Sequence, residues 1–229
     1  MTNIIILTGA NSGIGLACVK QFCVYYPDHT ILAISRSIDN LQIAQQSYSN
    51  CSVQQCDITN FLQLQQIIEY TSLNYKIVGL INCAGISYNG DICSLLPDQI
   101  QALITTNTIG ISNCIQAVLP TMRSNNNGTI INISSLADRY PRPNNPIYAA
   151  TKAFVKSLSE SLRSSEAKYN IRICNISPAL VNTPMLQRYG SFNDTIEVSQ
   201  FVDIIQFVYS QPQSVCIRDI VVAPTSYEQ

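Results

Sequence analysis

Short apolar, β-branched runs alternate with amphipathic stretches along nearly the whole chain. Residues 4–8, Ile-Ile-Ile-Leu-Thr, form a continuous apolar run of the length expected for a strand buried on both faces. Residues 13–26 carry helical spacing and are closed by Pro27, which has no amide to extend a helix. The alternation then repeats. Strands are predicted over 30–35, 51–56, 77–83, 129–134, 171–177 and 215–222. Helices are predicted over 38–47, 60–72, 97–123, 146–168 and 198–209, with 97–123 in one piece or two. Strand, helix, strand in strict order implies crossover connections, parallel pairing and helices on both faces. The expected fold class is α/β, a single domain on a doubly wound parallel sheet of about seven strands. No repeat, second domain or low-complexity linker interrupts the pattern, and polar patches such as 124–128 read as helix-to-strand loops.

Composition narrows what such a domain does. Hydrophobic residues make up 46% of the 229 and charged residues only 12%, which argues against disorder and for many doubly buried strands. Net charge is −1 with no basic stripe, so neither nucleic acid nor an anionic membrane is expected as a partner. Met1-Thr2-Asn3 leads directly into the first apolar run without the features of a secretory signal, and no uninterrupted apolar stretch approaches membrane-spanning length. A cytoplasmic protein is the expectation. The nine cysteines are scattered with no Cys-x-x-Cys pair, which fits reduced thiols better than a disulfide framework or zinc. His29 is the only histidine, so no multi-histidine metal site is possible; it is expected in a solvated loop.

Candidate chemistry begins at Thr8-Gly9-Ala10-Asn11-Ser12-Gly13-Ile14-Gly15, between the first predicted strand and helix. Glycines there allow a tight turn and let a pyrophosphate approach the amides of the helix N-terminus, where the helix dipole adds attraction. The spacing is Gly-x-x-x-Gly-x-Gly, not the common Gly-x-Gly-x-x-Gly, and no Gly-Lys-Ser/Thr follows to make a Walker A loop.

This Thr-Gly-x-x-x-Gly-x-Gly turn resembles the cofactor turn of the short-chain dehydrogenases/reductases, and that family's other motifs follow in order over nearly the whole chain. Asp57 after the third predicted strand matches a family aspartate near the adenine. Asn82-Cys83-Ala84-Gly85 resembles Asn-Asn-Ala-Gly, and Asn107 lies in the long helical region that follows. Ser134-Ser135 ends the fifth predicted strand, and Tyr148-Ala149-Ala150-Thr151-Lys152 opens the next helix. Ser177-Pro178-Ala179 stands where the family usually shows Pro-Gly, with Thr183 just beyond. The resemblance implies a Rossmann-like, NAD(P)-binding oxidoreductase and a homodimer or homotetramer. It implies cofactor contacts at Gly9, Asn11, Ser12, Gly13, Ile14 and Gly15, at Arg36 and Asp57, at Asn82, Ala84 and Gly85, and at Tyr148, Lys152, Pro178 and Thr183.

Tyr148 and Lys152, spaced i, i+4, share one helix face. A tyrosine with a reference pKa of about 10 is a poor base near neutrality. A neighbouring ammonium favours the phenolate, so Tyr148 is expected to exchange the proton of an alcohol or carbonyl oxygen. Ser135 is the candidate for the hydroxyl that stabilises charge on that oxygen, with Ser134 alternating to the other face. Family analogy implies that Lys152 holds the nicotinamide ribose and that Asn107 holds a water linking Lys152 to solvent. A Ser-His-Asp hydrolase would need a histidine beyond the strand C-termini and a Gly-x-Ser-x-Gly elbow; His29 precedes the second strand and no elbow exists. The remaining alternative is a non-catalytic dinucleotide-binding sensor, which would not need Tyr148, Lys152, Ser135 and Asn107 together.

NAD enzymes place an acid at the end of the second strand, about 20 residues past the glycines. Here Ser35-Arg36-Ser37 stands there, so NADP(H) is the preferred cofactor, with NAD(H) possible. Substrate contacts, to a small carbonyl or alcohol compound, are expected from loops 87–94, 136–145 and 181–197, with a short lid near 184–197. Three residues depart from the family pattern: Cys83, Ala179, whose methyl group narrows the nicotinamide channel, and Asp138. Asp138 reads either as a turn aspartate or as a substrate contact favouring a cationic or hydroxylated compound.

Overall fold

The computed structural model describes residues 1–227. Seven parallel strands form one sheet in the order β3-β2-β1-β4-β5-β6-β7. They are β1 (Thr2–Thr8), β2 (His29–Ser35), β3 (Cys51–Gln55), β4 (Tyr75–Asn82), β5 (Gly128–Ile133), β6 (Ile171–Pro178) and β7 (Asp219–Val222). The order reverses between β1 and β4, the crevice where open parallel sheets bind ligands beyond their strand C-termini.

Strand alternation builds two cores. Ile5 and Leu7 face α1 (Gly13–Tyr25), α2 (Asp39–Ser47) and α8 (Val198–Ser210), packing with Cys18, Phe22, Phe201 and Ile205. Ile4 and Ile6 face α3 (Phe61–Asn74), α5 (Ile111–Ser124) and α6 (Pro146–Glu166), packing with Leu64, Ile68, Ile115 and Val155. These strands are apolar on both sides because both sides are covered.

One polar row crosses this apolar sheet. Thr8, Asn82, Asn132, Asn175 and Asp219 are successive register partners from β1 through β4, β5 and β6 to β7. Thr8 Oγ1 donates to Asn82 Oδ1 at 3.1 Å, Asn82 Nδ2 to Asn132 Oδ1 at 2.9 Å, and Asn132 Nδ2 to Ser159 Oγ of α6 at 2.9 Å. Asn175 Nδ2 donates to Asp219 Oδ1 at 2.9 Å. On β1 and β4 the row falls on the last strand residue and on β5 on the one before it, whereas β6 runs on to Pro178 and Asp219 opens β7.

Three expectations need correction. The last strand is 219–222 rather than 215–222. The buried Arg172 guanidinium donates to the carbonyl oxygens of Gln211 and Val215, at 2.7 and 3.2 Å, and this curls the segment into a turn. The long helical region is one run, α4 (Pro97–Ile104) continuing into α5 through a wide, π-type turn at Thr105–Gly110. That 28-residue run, Pro97–Ser124, is long and apolar enough to cross a bilayer on length and composition alone, although polar residues interrupt it; half of its 18-residue apolar window is buried here against the protein's own elements. His29 is not in a solvated loop: it opens β2, half-buried, with Nε2 3.3 Å from Asn3 Nδ2 and burial lowering its pKa. Asp138 is taken up below.

Candidate active site

The glycine turn leaves β1 at the switch point. Gly9 has φ +64°, and a Cβ there would lie 2.5 Å from both the Cα and the amide of Ala84. A Cβ on Gly15 would lie 2.2 Å from the Gly9 carbonyl oxygen. Only glycine lets the turn fold back on α1 and press against the end of β4. Ser12 precedes α1 in extended conformation without capping it, so the first amides of α1 have no side-chain acceptor. Open amides, a helix dipole and Cβ-free backbone fit the pyrophosphate of a dinucleotide. Ile14 lines the adjoining cavity, and a Cβ on Gly13 would stand 3.4 Å from Thr183, across the cleft.

Asn11 serves this turn indirectly. Its Nδ2 donates to Ser37 Oγ at 3.0 Å, and its Oδ1 accepts from the amides of Asn40 and Leu41 at 3.0 and 3.2 Å. Its side chain is committed to the start of α2, so it shapes the β2–α2 loop that presents Arg36. Arg36 is exposed, its carbonyl oxygen accepts from Gln55 Nε2 at 2.7 Å, and it has no ion pair among the described residues. Asp57 Oδ1 accepts from the amide and hydroxyl of Thr59 at 2.9 and 2.8 Å, which fixes the loop after β3. The Asn82 amide is likewise engaged within the polar row, beneath the turn.

The cavity, about 550 Å³, opens beyond the ends of β4, β5 and β6. It gathers Ile14, Gly85, Ser135, Tyr148, Lys152, Pro178 and Thr183 from the predicted set. Cys83 and Ala179, two of the three departures, also line it. Asn107 does not: it is 1% exposed and sits in the wide turn. Its Nδ2 and Oδ1 pair with the carbonyl and amide of Ile86, both at 2.9 Å. Nδ2 also reaches Thr151 Oγ1 at 3.1 Å, and that hydroxyl donates to the Tyr148 carbonyl oxygen at 2.7 Å. The Asn107 side chain thus clamps the loop after β4 onto the first turn of α6.

Ser135 Oγ accepts from the Ala137 amide at 3.2 Å at the start of a short 3₁₀ turn, Leu136–Asp138. Ser134 is buried and donates instead to the Lys152 carbonyl oxygen at 3.2 Å. The alternation expected of the two serines is what the structure has. Lys152 is buried, with Nζ donating to the Ile133 carbonyl oxygen at 2.9 Å and lying 5.7 Å from the Tyr148 ring centroid. Burial lowers this ammonium to about 8, against the raising influence of Asp138 and Cys83. Burial also pushes the Tyr148 phenol up to about 12, while a hydrogen bond with Ser135 acts to lower it. With the chain's own groups alone, desolvation outweighs the Ser135 hydrogen bond and Tyr148 holds its proton.

Asp138 is neither a turn aspartate nor a substrate contact. Its carboxylate accepts from Arg139 Nε at 2.7 Å, Ser177 Oγ at 2.5 Å and Asn175 Nδ2 at 3.1 Å. Arg139 also pairs with Asp219 at 2.9 Å. Burial raises the Asp138 carboxyl, but hydrogen bonds from Arg139, Ser177, Asn175 and Ser134 together hold it below the usual carboxylate value.

Two features escaped the sequence reading. Tyr189 Oη donates to the Ser87 carbonyl oxygen at 2.6 Å, latching the segment after α7 (Pro184–Gln187) to the loop after β4. The segment past β7 brings Tyr227 to the cavity mouth, where it meets Arg142. No periodicity or motif marks such contacts between distant loops.

Comparison with known proteins places this geometry. Residues 3–194 match the family model described as short chain dehydrogenase. An uncharacterised oxidoreductase of Staphylococcus epidermidis is 27% identical over 223 residues, covering 96% of each chain, and one of Staphylococcus aureus is 28% identical over 225. The closed form of a serine dehydrogenase complexed with NADP+ superposes with a TM-score of 0.89 at 26% identity, covering 99% of this chain and 96% of that one. Serine dehydrogenase from Escherichia coli gives 0.87 at 26% identity, covering 99% and 100%.

Proposed function

The chain belongs to the short-chain dehydrogenase family of oxidoreductases, and on that footing we propose that it is an NADP(H)-preferring enzyme interconverting a carbonyl compound and its alcohol. The observation that carries this reading is the convergence of the Tyr148, Ser135 and Lys152 side chains on one cavity facing the glycine turn. A binding-only module would not need that cavity.

When bound, the dinucleotide supplies or accepts the hydride, and its oxidised ring carries positive charge. The chain's own residues do the rest. The amides at the start of α1 hold the pyrophosphate, and Arg36 pairs with a 2′-phosphate while Ser37, braced by Asn11, donates to it. Lys152 lies 3.6 Å from the position of a Cβ on Gly85 and engages the ribose hydroxyls. Tyr148 gives a proton to the substrate oxygen in reduction and takes it back in oxidation; a phenol that burial keeps protonated suits the first direction. Ser135 donates to the same oxygen as charge develops there. Asn107 holds the loop and helix that frame this pair. Exposed Ile104, Ile109 and Phe154 on neighbouring helical segments support assembly into a homodimer or homotetramer.

The test is oxidation of NADPH with a panel of carbonyl compounds, followed by the loss of reduced-nicotinamide absorbance. Turnover that disappears in Tyr148→Phe is expected. No oxidation with any carbonyl compound, despite tight NADPH binding, would overturn the reading.

A further inference from the structure

Among the described residues, the side chains lining the cavity include three cations, Lys152, Arg139 and Arg142, and no carboxylate. The three differ in what already holds them. Lys152 is buried on the Ile133 carbonyl oxygen and serves Tyr148 and the ribose. Arg139 is shared between Asp138 and Asp219, and that pairing raises its pKa. Its charge is already matched.

Arg142 is different. It stands exposed at the cavity mouth, with no carboxylate partner among the described residues. Its Nη2 meets Tyr227 Oη, and its guanidinium lies 5.4 Å from the Tyr227 ring centroid. Tyr227 is itself turned toward it by a bond from its amide to the Pro224 carbonyl oxygen at 3.0 Å. The Arg142 carbonyl oxygen accepts from the Asn145 amide at 3.2 Å, so the arginine is tied to the residue that opens the helix of Tyr148. A phenol braces one edge of the guanidinium, and no carboxylate among the described residues matches its charge. The planar fork of such a group fits a carboxylate.

We propose that Arg142, braced by Tyr227, is the specificity-determining residue that receives a substrate carboxylate, and that the enzyme favours short oxo acids over uncharged carbonyl compounds. This rests on the oxidoreductase function above. A carboxylate suits the mouth better than a phosphate because one unmatched cation balances one negative charge. A cavity of about 550 Å³ that also takes in the nicotinamide limits the acid to a few carbons. The carboxylate stays unchanged through the reaction: the carbonyl carbon gains a hydride, its oxygen gains the Tyr148 proton, and one NADPH becomes NADP+.

The experiment compares kcat/KM with NADPH for pyruvate, acetoacetate and levulinate, each against its methyl ester, with diacetyl as a neutral reference. The wild type is expected to favour at least one acid over its ester by tenfold or more. Arg142→Gln should lower that acid-to-ester ratio at least tenfold through KM, Arg142→Lys should retain most of it, and Tyr227→Phe should fall between. Esters or diacetyl reduced as well as every acid, or a ratio indifferent to Arg142→Gln, would overturn the proposal and leave the oxidoreductase function standing. Reduction of none of these compounds, nor of any other carbonyl, would overturn both.

Discussion

The ammonium of Lys152 donates to the carbonyl oxygen of Ile133, the last residue of β5, at 2.9 Å, and that buried seat lowers its pKa to about 8. The unfolded chain, with a lysine value of 10.5, then holds a proton between these pH values that the folded chain does not. Stability therefore rises with pH across that window, by about 3 kcal/mol from this group, and the burial cost is fully present below it. Lys152→Met removes the titration. Its stability relative to wild type, measured by urea unfolding of the ligand-free protein, should fall by about that amount from pH 8 to pH 10.5. A constant difference across the window would show that Lys152 is not buried as a cation.

Replacing Tyr148 by phenylalanine keeps the ring and removes the proton. Turnover should drop by several powers of ten while NADPH binding, followed by fluorescence titration, stays close to wild type. Lys152→Met should lose both rate and cofactor affinity, since the proposed function gives the ammonium the ribose as well. A loss confined to rate would mean that the ribose contact is wrong.

The proposed cofactor preference rests on Arg36 and on the bond from Asn11 to Ser37 that braces its loop. NADPH should bind more tightly than NADH, and less so at high salt because Arg36 is exposed. Arg36→Ala should erase most of the preference with little change in NADH affinity. Asn11→Ala, which frees the start of α2, should weaken both dinucleotides. Equal wild-type affinity for the two would refute the assignment to Arg36.

What could be read from the chain alone was whatever repeats at short range. The apolar runs of β1, β2 and β6, the glycine turn, and Tyr148 with Lys152 one helical turn on are local patterns. Asp138 was misread because two of its partners, Ser177 and Asn175, come from β6, far along the chain. The wide turn at Thr105–Gly110 left no mark because its residues suit an ordinary helix equally well. The start of the last strand was set by Arg172 capturing distant carbonyl groups, which no propensity records.

The latch between Tyr189 and Ser87 holds the 184–197 segment against the opposite loop. Tyr189→Phe loses only the hydroxyl, so it should speed amide exchange across that segment and leave exchange in β1 and β4 unchanged. KM should rise a few-fold if the segment closes over substrate. Exchange indifferent both to the substitution and to ternary-complex formation would rule out a lid.

The polar row from Thr8 through Asn82, Asn132 and Asn175 to Asp219 also bears on how the sheet finds its alignment. Isoleucine-rich parallel strands are nearly interchangeable under sliding. A shift of one residue would turn an asparagine to the opposite face. A shift of two would set it against Leu80, Ile130 or Ile173, with nothing to bond. Each stranded amide costs about 1–3 kcal/mol, so a misaligned pair of strands is penalised at every asparagine it displaces. The row acts as a key cut across the sheet. Valine at Asn82 or Asn132 should yield a chain that still collapses but pairs its strands in more than one alignment, visible as several slow refolding phases where the parent has fewer.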